Sequence, residues 1–245
     1  MFTDSPDHIH PSLWRASQLA SSTTACINST FPSLSKELPG GGWPRGSLNE
    51  LLLKQYGSAE LRLLQPALAQ LLQSDERTIV LIRPPHQPQL LALHAYGIPL
   101  KQCLWIHCKR PGDALWAAEQ VLRSGSCAAL LIWQTHIRNE ALRRLHLAAQ
   151  SGDTVFFMMR PSTCAEMPSP APLRLHLTPV IDGIQIQFIK RRGVQREQPL
   201  LLALPSLFSH LPISPVEALN ETSMDRTTSA FVAARSISPE LAHYS

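Results

Sequence analysis

The sequence predicts an α/β protein with a mainly parallel five-stranded sheet, helices on both faces and a C-terminal antiparallel hairpin. Three observations support this fold class. Short apolar runs bounded by turn residues alternate with amphipathic runs of helical length. The apolar run 47–53 follows a glycine- and proline-rich turn and precedes a tight loop and a helix. Near residues 173–189, apolar and polar side chains alternate with the period of a half-exposed strand.

The order of elements follows from the positions of the apolar runs and of the glycines and prolines between them. We predict, in chain order, strand 47–53, helix 61–73, strand 78–82, helix 88–96, strand 103–107, helix 111–123, strand 127–133, helix 136–150 and strand 154–159. The hairpin has strands 173–178 and 184–189 around a turn at Asp182 and Gly183, and residues 199–204 supply one more strand. The turn 39–46 contains four glycines, so we expect no helix or strand to run through it.

Length and composition fit one sizeable domain with extensions at both ends. We predict an N-terminal arm (1–38) with a short helix at 11–20, a core (39–204), and a largely disordered tail (205–245) rich in Ser, Thr and Pro. The net charge of +4 permits binding to nucleic acid without favouring it. The five cysteines have no spacing typical of a metal site, which suggests reduced thiols, and no apolar run is long enough to span a membrane. We expect a cytoplasmic protein, with nucleoid association as an option.

The loop between residues 54 and 60 has the layout of a phosphate-binding loop, in which backbone N–H groups at a helix N-terminus bind an anion. A working loop needs a Lys for the outer phosphates and a Ser or Thr for magnesium. Ala59 and Glu60 occupy those positions, beside Lys54, Gly57 and Ser58. A carboxylate about 4 Å from a phosphate costs roughly 4 kcal/mol, or about three decades of affinity. The loop is therefore interpreted as degenerate, without a nucleotide or other cofactor.

The acidic residues that an ATPase of this layout needs at strand ends are also missing. The fourth strand ends in Trp133 and Gln134, and the second in Arg83 and Pro84. Three positions thus lack the chemistry for hydrolysis, and we expect the protein not to be an enzyme. An active ATPase or recombinase with a rearranged site that uses Lys54 is the competing hypothesis.

The stretch LPGGGWPRGSLNELLL resembles the entry strand of the RecA-like fold. In its particular residues it resembles the ImuA family of RecA-related accessory proteins. Three further segments resemble sequence motifs of the same family: HPSLWRASQLA near the N-terminus, MMRP at 158–161 and a KRRG turn in the hairpin. This resemblance covers most of residues 10–204. Residues 46–177 also resemble the SulA family of SOS-induced cell-division inhibitors, which shares the degenerate core but is shorter and lacks the arm and the C-terminal extension.

The ImuA resemblance implies a non-catalytic adaptor of SOS-induced, error-prone translesion DNA synthesis in the response to DNA damage. The partners it implies are an inactive Y-family polymerase homologue, an error-prone C-family DNA polymerase and, as an option, RecA. The SulA resemblance implies the alternative, a division inhibitor that acts on the tubulin-like protein of the division ring. The two hypotheses differ in partner and share the absence of ATP hydrolysis.

Candidate contact residues for a partner or for DNA are the basic and aromatic side chains of the arm, the carboxyl-edge loops, the helix 136–150, the hairpin and the tail. They are Trp14, Arg15, Trp133, Arg138, Arg143, Arg144, Arg160, Lys190, Arg191, Arg192 and Phe231. The competing interpretation of Trp14 is an arm that packs on its own domain. Exposed basic residues can neutralise phosphates, but they are equally typical of solvated surfaces.

Overall fold

The computed structural model of the protein describes residues 25–57, 59–86, 93–94 and 97–204. The strands are β1 (Cys26–Asn28), β2 (Gly42–Pro44), β3 (Ser47–Leu53), β4 (Thr78–Ile82), β5 (Cys103–Ile106), β6 (Cys127–Trp133), β7 (Val155–Pro161), β8 (Leu173–Val180), β9 (Gly183–Lys190) and β10 (Leu200–Ala203). The helices are α1 (Pro32–Ser35), α2 (Glu60–Ser74), α3 (Pro111–Ser124) and α4 (Asn139–Gln150), with short 3₁₀ turns at Pro39–Gly41, Leu100–Gln102 and Ser162–Cys164. The predicted helix 11–20, most of the predicted helix 88–96 and the tail lie outside the described residues.

Eight strands form one mixed sheet in the order β10-β9-β8-β3-β7-β6-β4-β5, which confirms the α/β class. Six neighbouring strands are parallel, one more than predicted, because the first hairpin strand β8 pairs in parallel with β3. Strand β9 is antiparallel to β8, as predicted for the hairpin, and β10, the further strand predicted at 199–204, is antiparallel to β9. Burial explains the position of β8, since Leu173, Leu175 and Leu177 are fully buried.

Helices cover both faces of the sheet, as the alternation of strands and helices predicts. On one face α2 packs against side chains of β3, including Leu51 and Leu53. On the other face α3 and α4 pack against Leu48 of β3 and its neighbours. Every residue of β3 and β6 is buried, because a parallel strand between two helical layers has no solvated side. No helix among the described residues is long and apolar enough to cross a membrane.

Residues 25–38, which the sequence assigned to an arm, form part of the folded body. Strand β1 pairs with β2 in an antiparallel two-stranded sheet. Ile27, Leu34 and Leu38 are buried in the core, and Leu34 has no exposed surface. The described part of the predicted arm thus packs as core, whereas residues 1–24 lie outside the description.

The glycine-rich turn contains regular structure, so the prediction that no strand runs through it is wrong. Gly42 lies opposite Asn28 in the β1–β2 pair. A side-chain carbon at Gly42 would lie 2.1 Å from the carbonyl oxygen of Ile27. The glycine therefore permits a close strand approach here instead of ending the strand.

One helix boundary also differs from the prediction. Helix α4 begins at Asn139, three residues later than expected, because Arg138 has an extended backbone (φ −73°, ψ 150°) and is the N-cap. The residues between β6 and α4 consequently form a loop at the carboxyl edge of the sheet.

Candidate functional site

The carboxyl ends of the parallel strands carry the candidate functional site. Open α/β sheets bind ligands at this edge, where the loops after neighbouring strands meet. In this protein, the loops after β3, β4, β5, β6 and β7 surround two cavities there. The two cavities share Thr135 in the loop after β6.

The acidic residue at the end of the loop after β3 is hydrogen-bonded to the backbone of that loop. The Glu60 carboxylate accepts hydrogen bonds from the backbone N–H of Gly57 at 2.5 Å and of Ala59 at 3.2 Å. It also accepts one from Nε1 of Trp133 at 3.1 Å. Glu60 is fully buried. Its carboxylate occupies the backbone N–H donors that an anionic ligand of this loop would need.

Replacing Glu60 by Ala is expected to lower the free energy of unfolding by about 1–3 kcal/mol, because buried donors lose their acceptor. Sulfate is expected to restore more stability to Glu60→Ala than it adds to the unchanged protein, since the vacated donors can bind an anion. Urea unfolding with and without sulfate measures both effects. Glu60→Gln, which keeps an oxygen acceptor, is the control and should respond less to sulfate. An equal response of all three proteins would contradict the role assigned to the carboxylate.

The first cavity, called the aromatic cavity, has a volume of about 480 Å³. It is lined by Tyr56, Arg83, Pro84, Pro85, His86, Trp105, His107, Cys108, Trp133 and Thr135. The rings of Trp105 and His107 meet edge to face with centroids 5.7 Å apart. Burial raises the pKa of Tyr56 and of the Cys108 thiol. None of the described residues lining this cavity is acidic.

The strand ends at which an ATPase would carry catalytic acids, those of β4 and β6, lie beside the aromatic cavity. Nη1 of Arg83 donates to Oε1 of Gln134 at 2.9 Å. This pair joins the loops after β4 and β6, and it supplies no carboxylate to hold magnesium or to activate water. The described residues also contain no group of three His, Cys, Asp or Glu side chains placed to hold a metal ion.

The second cavity, called the arginine cavity, has a volume of about 610 Å³. It is lined by Thr135, His136, Ile137, Arg138, Arg160, Pro161, Thr163, Cys164 and Met167. Its walls are the loop between β6 and α4 and the turn after β7. These are the two loops that the sequence selected as candidate contact loops.

A buried ion cluster lies beneath the arginine cavity. The carboxylate of Glu50, which is fully buried on β3, is hydrogen-bonded to Nη1 of Arg160 and, at 2.5 Å, to Nε of Arg174. Arg174 also donates to the carbonyl oxygens of Cys164 at 2.7 Å and Ala165 at 3.1 Å. Sequence reasoning missed Glu50 and Arg174. The available signal was a single carboxylate inside the run LNELLL, a strand predicted to be buried on both faces.

Two of the predicted contact residues lie in the interior, and a third is partly buried in an ion pair, so these three are not freely exposed contacts. Trp133 and Arg160 are each only 3% exposed. Arg191 pairs with the Glu37 carboxylate at 2.6 Å. The hydrogen bond from Arg191 is the main cause that lowers the pKa of Glu37. Trp133 and Arg160 line the two cavities with little exposed surface, and Arg191 is held in an ion pair.

The remaining described candidates are exposed but are not gathered into one stripe. Arg138, Arg143, Arg144, Lys190 and Arg192 are exposed, as is Lys54 of the loop. Arg144 pairs with Glu119, and Lys190 donates to the Ser169 carbonyl. Lys190 lies beside the beginning of β8, opposite Arg174, whereas Arg138 follows the end of β6. Trp14, Arg15, Ser58 and Phe231 fall outside the described residues.

Comparison with known proteins identifies relatives that match the part of the chain containing the central strands of the sheet. Residues 46–156 match the family model "Cell division inhibitor SulA". The protein of that name from Edwardsiella piscicida is 31% identical over 123 residues, which cover 49% of this chain and 73% of the relative. Its namesake from Pectobacterium atrosepticum is 29% identical over 122 residues (49% and 72%), and that from Yersinia enterocolitica 27% over 133 residues (54% and 79%).

Proposed function

The chain belongs to the SulA family, and we propose that it inhibits cell division by binding the tubulin-like protein of the division ring. The single observation that carries the proposal is the match to proteins named as cell division inhibitors over about three quarters of their length. The matched segment extends from the turn before β3 into β7, so it includes the strands whose loops form the aromatic cavity. Action in the cytoplasm during the SOS response is part of this proposal.

The translesion-synthesis role that the ImuA resemblance implied is corrected by the same comparisons. The family model and the three relatives described above are named for inhibition of cell division. The two polymerase partners and RecA were implied by that resemblance alone and are not part of the proposal. Of the two hypotheses raised by the sequence, the comparisons favour the division inhibitor.

We propose that the protein acts by binding and not by hydrolysing a nucleotide. The carboxylate of Glu60 at the loop donors and the neutral and cationic residues at the strand ends support this mechanism. The order strand, glycine-containing loop and helix is consistent with a RecA-like origin of the fold, which we include in the proposal. Isothermal titration with magnesium and ATP tests this part, and micromolar binding would contradict it.

We place the partner contact at the carboxyl edge, around Trp105. Loops at this edge are where open α/β sheets bind ligands, and exposed tryptophans are frequent energetic centres of protein interfaces. Trp105 is 38% exposed and lines the aromatic cavity. Trp116 on α3 is 64% exposed and is not among the residues that line either cavity, so it provides a matched control.

Overproduction of the chain in a bacterium is expected to produce filamentous cells, because blocked division leaves growth unaffected. The purified protein should also reduce GTP-dependent polymerisation of the ring protein, measured by sedimentation. Trp105→Ser should weaken inhibition by about tenfold, equivalent to about 1.4 kcal/mol, whereas Trp116→Ser should inhibit normally.

Normal cell length together with unchanged polymerisation would reject the proposed function. Inhibition that is lost in Trp116→Ser and kept in Trp105→Ser would reject only the placement of the contact. Circular dichroism of both variants shows whether a loss of inhibition reflects binding or folding.

A further inference from the structure

The arginine cavity contains a buried guanidinium whose hydrogen-bonding capacity is not fully used. Arg160 lines the cavity, is 3% exposed and is bonded through Nη1 to Glu50. Its Nε is buried and has no hydrogen-bond partner among the described residues. An unpaired buried donor costs about 1–3 kcal/mol, and more when it is charged. The guanidinium of Arg160 therefore gains from a negatively charged group that enters the cavity beside it.

The charges around Arg160 favour an anionic acceptor. Arg160 and Arg174 share the single carboxylate of Glu50, which leaves one net positive charge in the buried cluster. Arg138 on the cavity lining adds a second positive charge. No acidic side chain is among the described residues that line the cavity. Since buried charges are normally paired, the site is incomplete without a negative group.

The walls of the cavity are largely apolar. Ile137, Pro161 and Met167 are lining residues, and Met167 is 50% exposed at the surface. The volume of about 610 Å³ is within the range of roughly 300–1,000 Å³ that is typical of small-ligand sites. A free phosphate ion would gain little from such walls, whereas a carboxylate attached to an apolar body would satisfy both the cation and the walls.

We propose that the arginine cavity binds a carboxylate carried on an apolar body. The carboxylate pairs with the guanidinium of Arg160, Arg138 contributes a second charge, and the apolar part packs against Ile137 and Met167. A free organic acid and an acidic side chain of a polypeptide both present this group. The proposal goes beyond the division-inhibitor function and does not require it.

Both walls are held in place without a ligand. Arg174 fixes the turn after β7 through the carbonyl oxygens of Cys164 and Ala165. On the opposite wall, Nε2 of Gln134 donates to the carbonyl oxygen of His136 at 2.7 Å. A ligand therefore pays little to order the site, which favours binding by small molecules.

The test is an NMR titration of the ¹⁵N-labelled full chain, following arginine Nε–H resonances. The probes are phenylacetate, the neutral isostere phenylacetamide, inorganic phosphate, and a peptide of alternating leucines and glutamates. We expect phenylacetate at millimolar concentrations to shift the Arg160 signal in a saturable manner. Phenylacetamide and phosphate should bind at least about tenfold more weakly, a difference of about 1.4 kcal/mol. Tighter binding of the peptide than of phenylacetate would support a polypeptide as the source, and the reverse would support a free acid.

Variants at the rim test the location. Arg138→Gln should raise the Kd of phenylacetate by about tenfold through loss of one charged contact, whereas Arg192→Gln on the hairpin should leave it unchanged. Met167→Glu places a competing carboxylate at the cavity and should abolish binding. Val194→Glu, at an 85% exposed apolar residue elsewhere, is its matched control.

Arg160→Lys assigns the Arg160 resonance and removes the Nε donor while keeping the charge. If this variant fails to fold, the loss of its signal is uninterpretable and the rim variants alone decide. Equal binding of phenylacetate and phenylacetamide, tighter binding of phosphate, or an equal effect of Met167→Glu and Val194→Glu would overturn the proposal. So would the absence of any shift at millimolar phenylacetate.

Discussion

Replacing Glu50 by Gln is expected to lower the free energy of unfolding by about 3–5 kcal/mol, a large share of the stability of a single domain. The substitution is almost isosteric, so it removes charge without creating a cavity. Arg160 and Arg174, whose side chains are 4% and 6% exposed, would then be buried cations without a counter-charge. Urea unfolding followed by circular dichroism measures the change.

Glu119→Gln is the matched control for Glu50→Gln. Glu119 also pairs with two arginines, Arg123 and Arg144, but both of those side chains are 61% exposed. Water can replace the lost partner at an exposed guanidinium, so we expect a loss below about 1 kcal/mol. Similar losses for the two variants would show that burial does not determine the strength of the Glu50 cluster.

Replacing Trp43 by Ala is expected to cost about 3–5 kcal/mol, the usual range for removing a large aromatic side chain from a core. Trp43 is fully buried on β2, and its ring meets the Phe157 ring edge to face with centroids 5.3 Å apart. The substitution would remove the aromatic contact between β2 and β7. Thermal and urea unfolding of the variant measure this loss.

Trp43→Phe provides the comparison for Trp43→Ala. The indole N–H of Trp43 has no hydrogen-bond partner among the described residues, so a phenyl ring removes an unsatisfied donor while keeping most of the packing. We expect a loss well below that of the alanine variant. If Trp43→Ala cost less than about 1 kcal/mol, the segment 25–44 would not be an integral part of the core.

Strands buried on both faces were predictable from local sequence. The bounds of β3, β4 and β6 agree with the predicted ranges 47–53, 78–82 and 127–133. These strands are continuous apolar runs between turn residues, so the same run indicates both that the strand is buried and where it begins and ends. The partner of β8 was not predictable in the same way, because the alternation of apolar and polar residues does not specify a parallel neighbour.

The candidate site was predictable as a location but not as a set of contacts. The carboxyl-edge loops and the position of Glu60 follow from the order of strands, loops and helices. Whether Arg160 faces solvent or a buried carboxylate depends on Glu50, which is 110 residues away in the sequence. The choice between the two families suggested by the sequence came from comparison with known proteins, since both resemblances share the same core.

By itself, the sequence determined that this protein is of the α/β class with helices on both sides of the sheet and an acidic residue in the loop–helix segment after β3, because these properties depend on local pattern and residue type. The tertiary structure alone decided that residues 25–38 complete the core, that Glu60 binds its own loop, that Arg160 is buried and that Arg191 pairs with Glu37. The reason is that burial and ion pairing depend on contacts between segments that are distant in the sequence, and local sequence patterns do not specify those contacts.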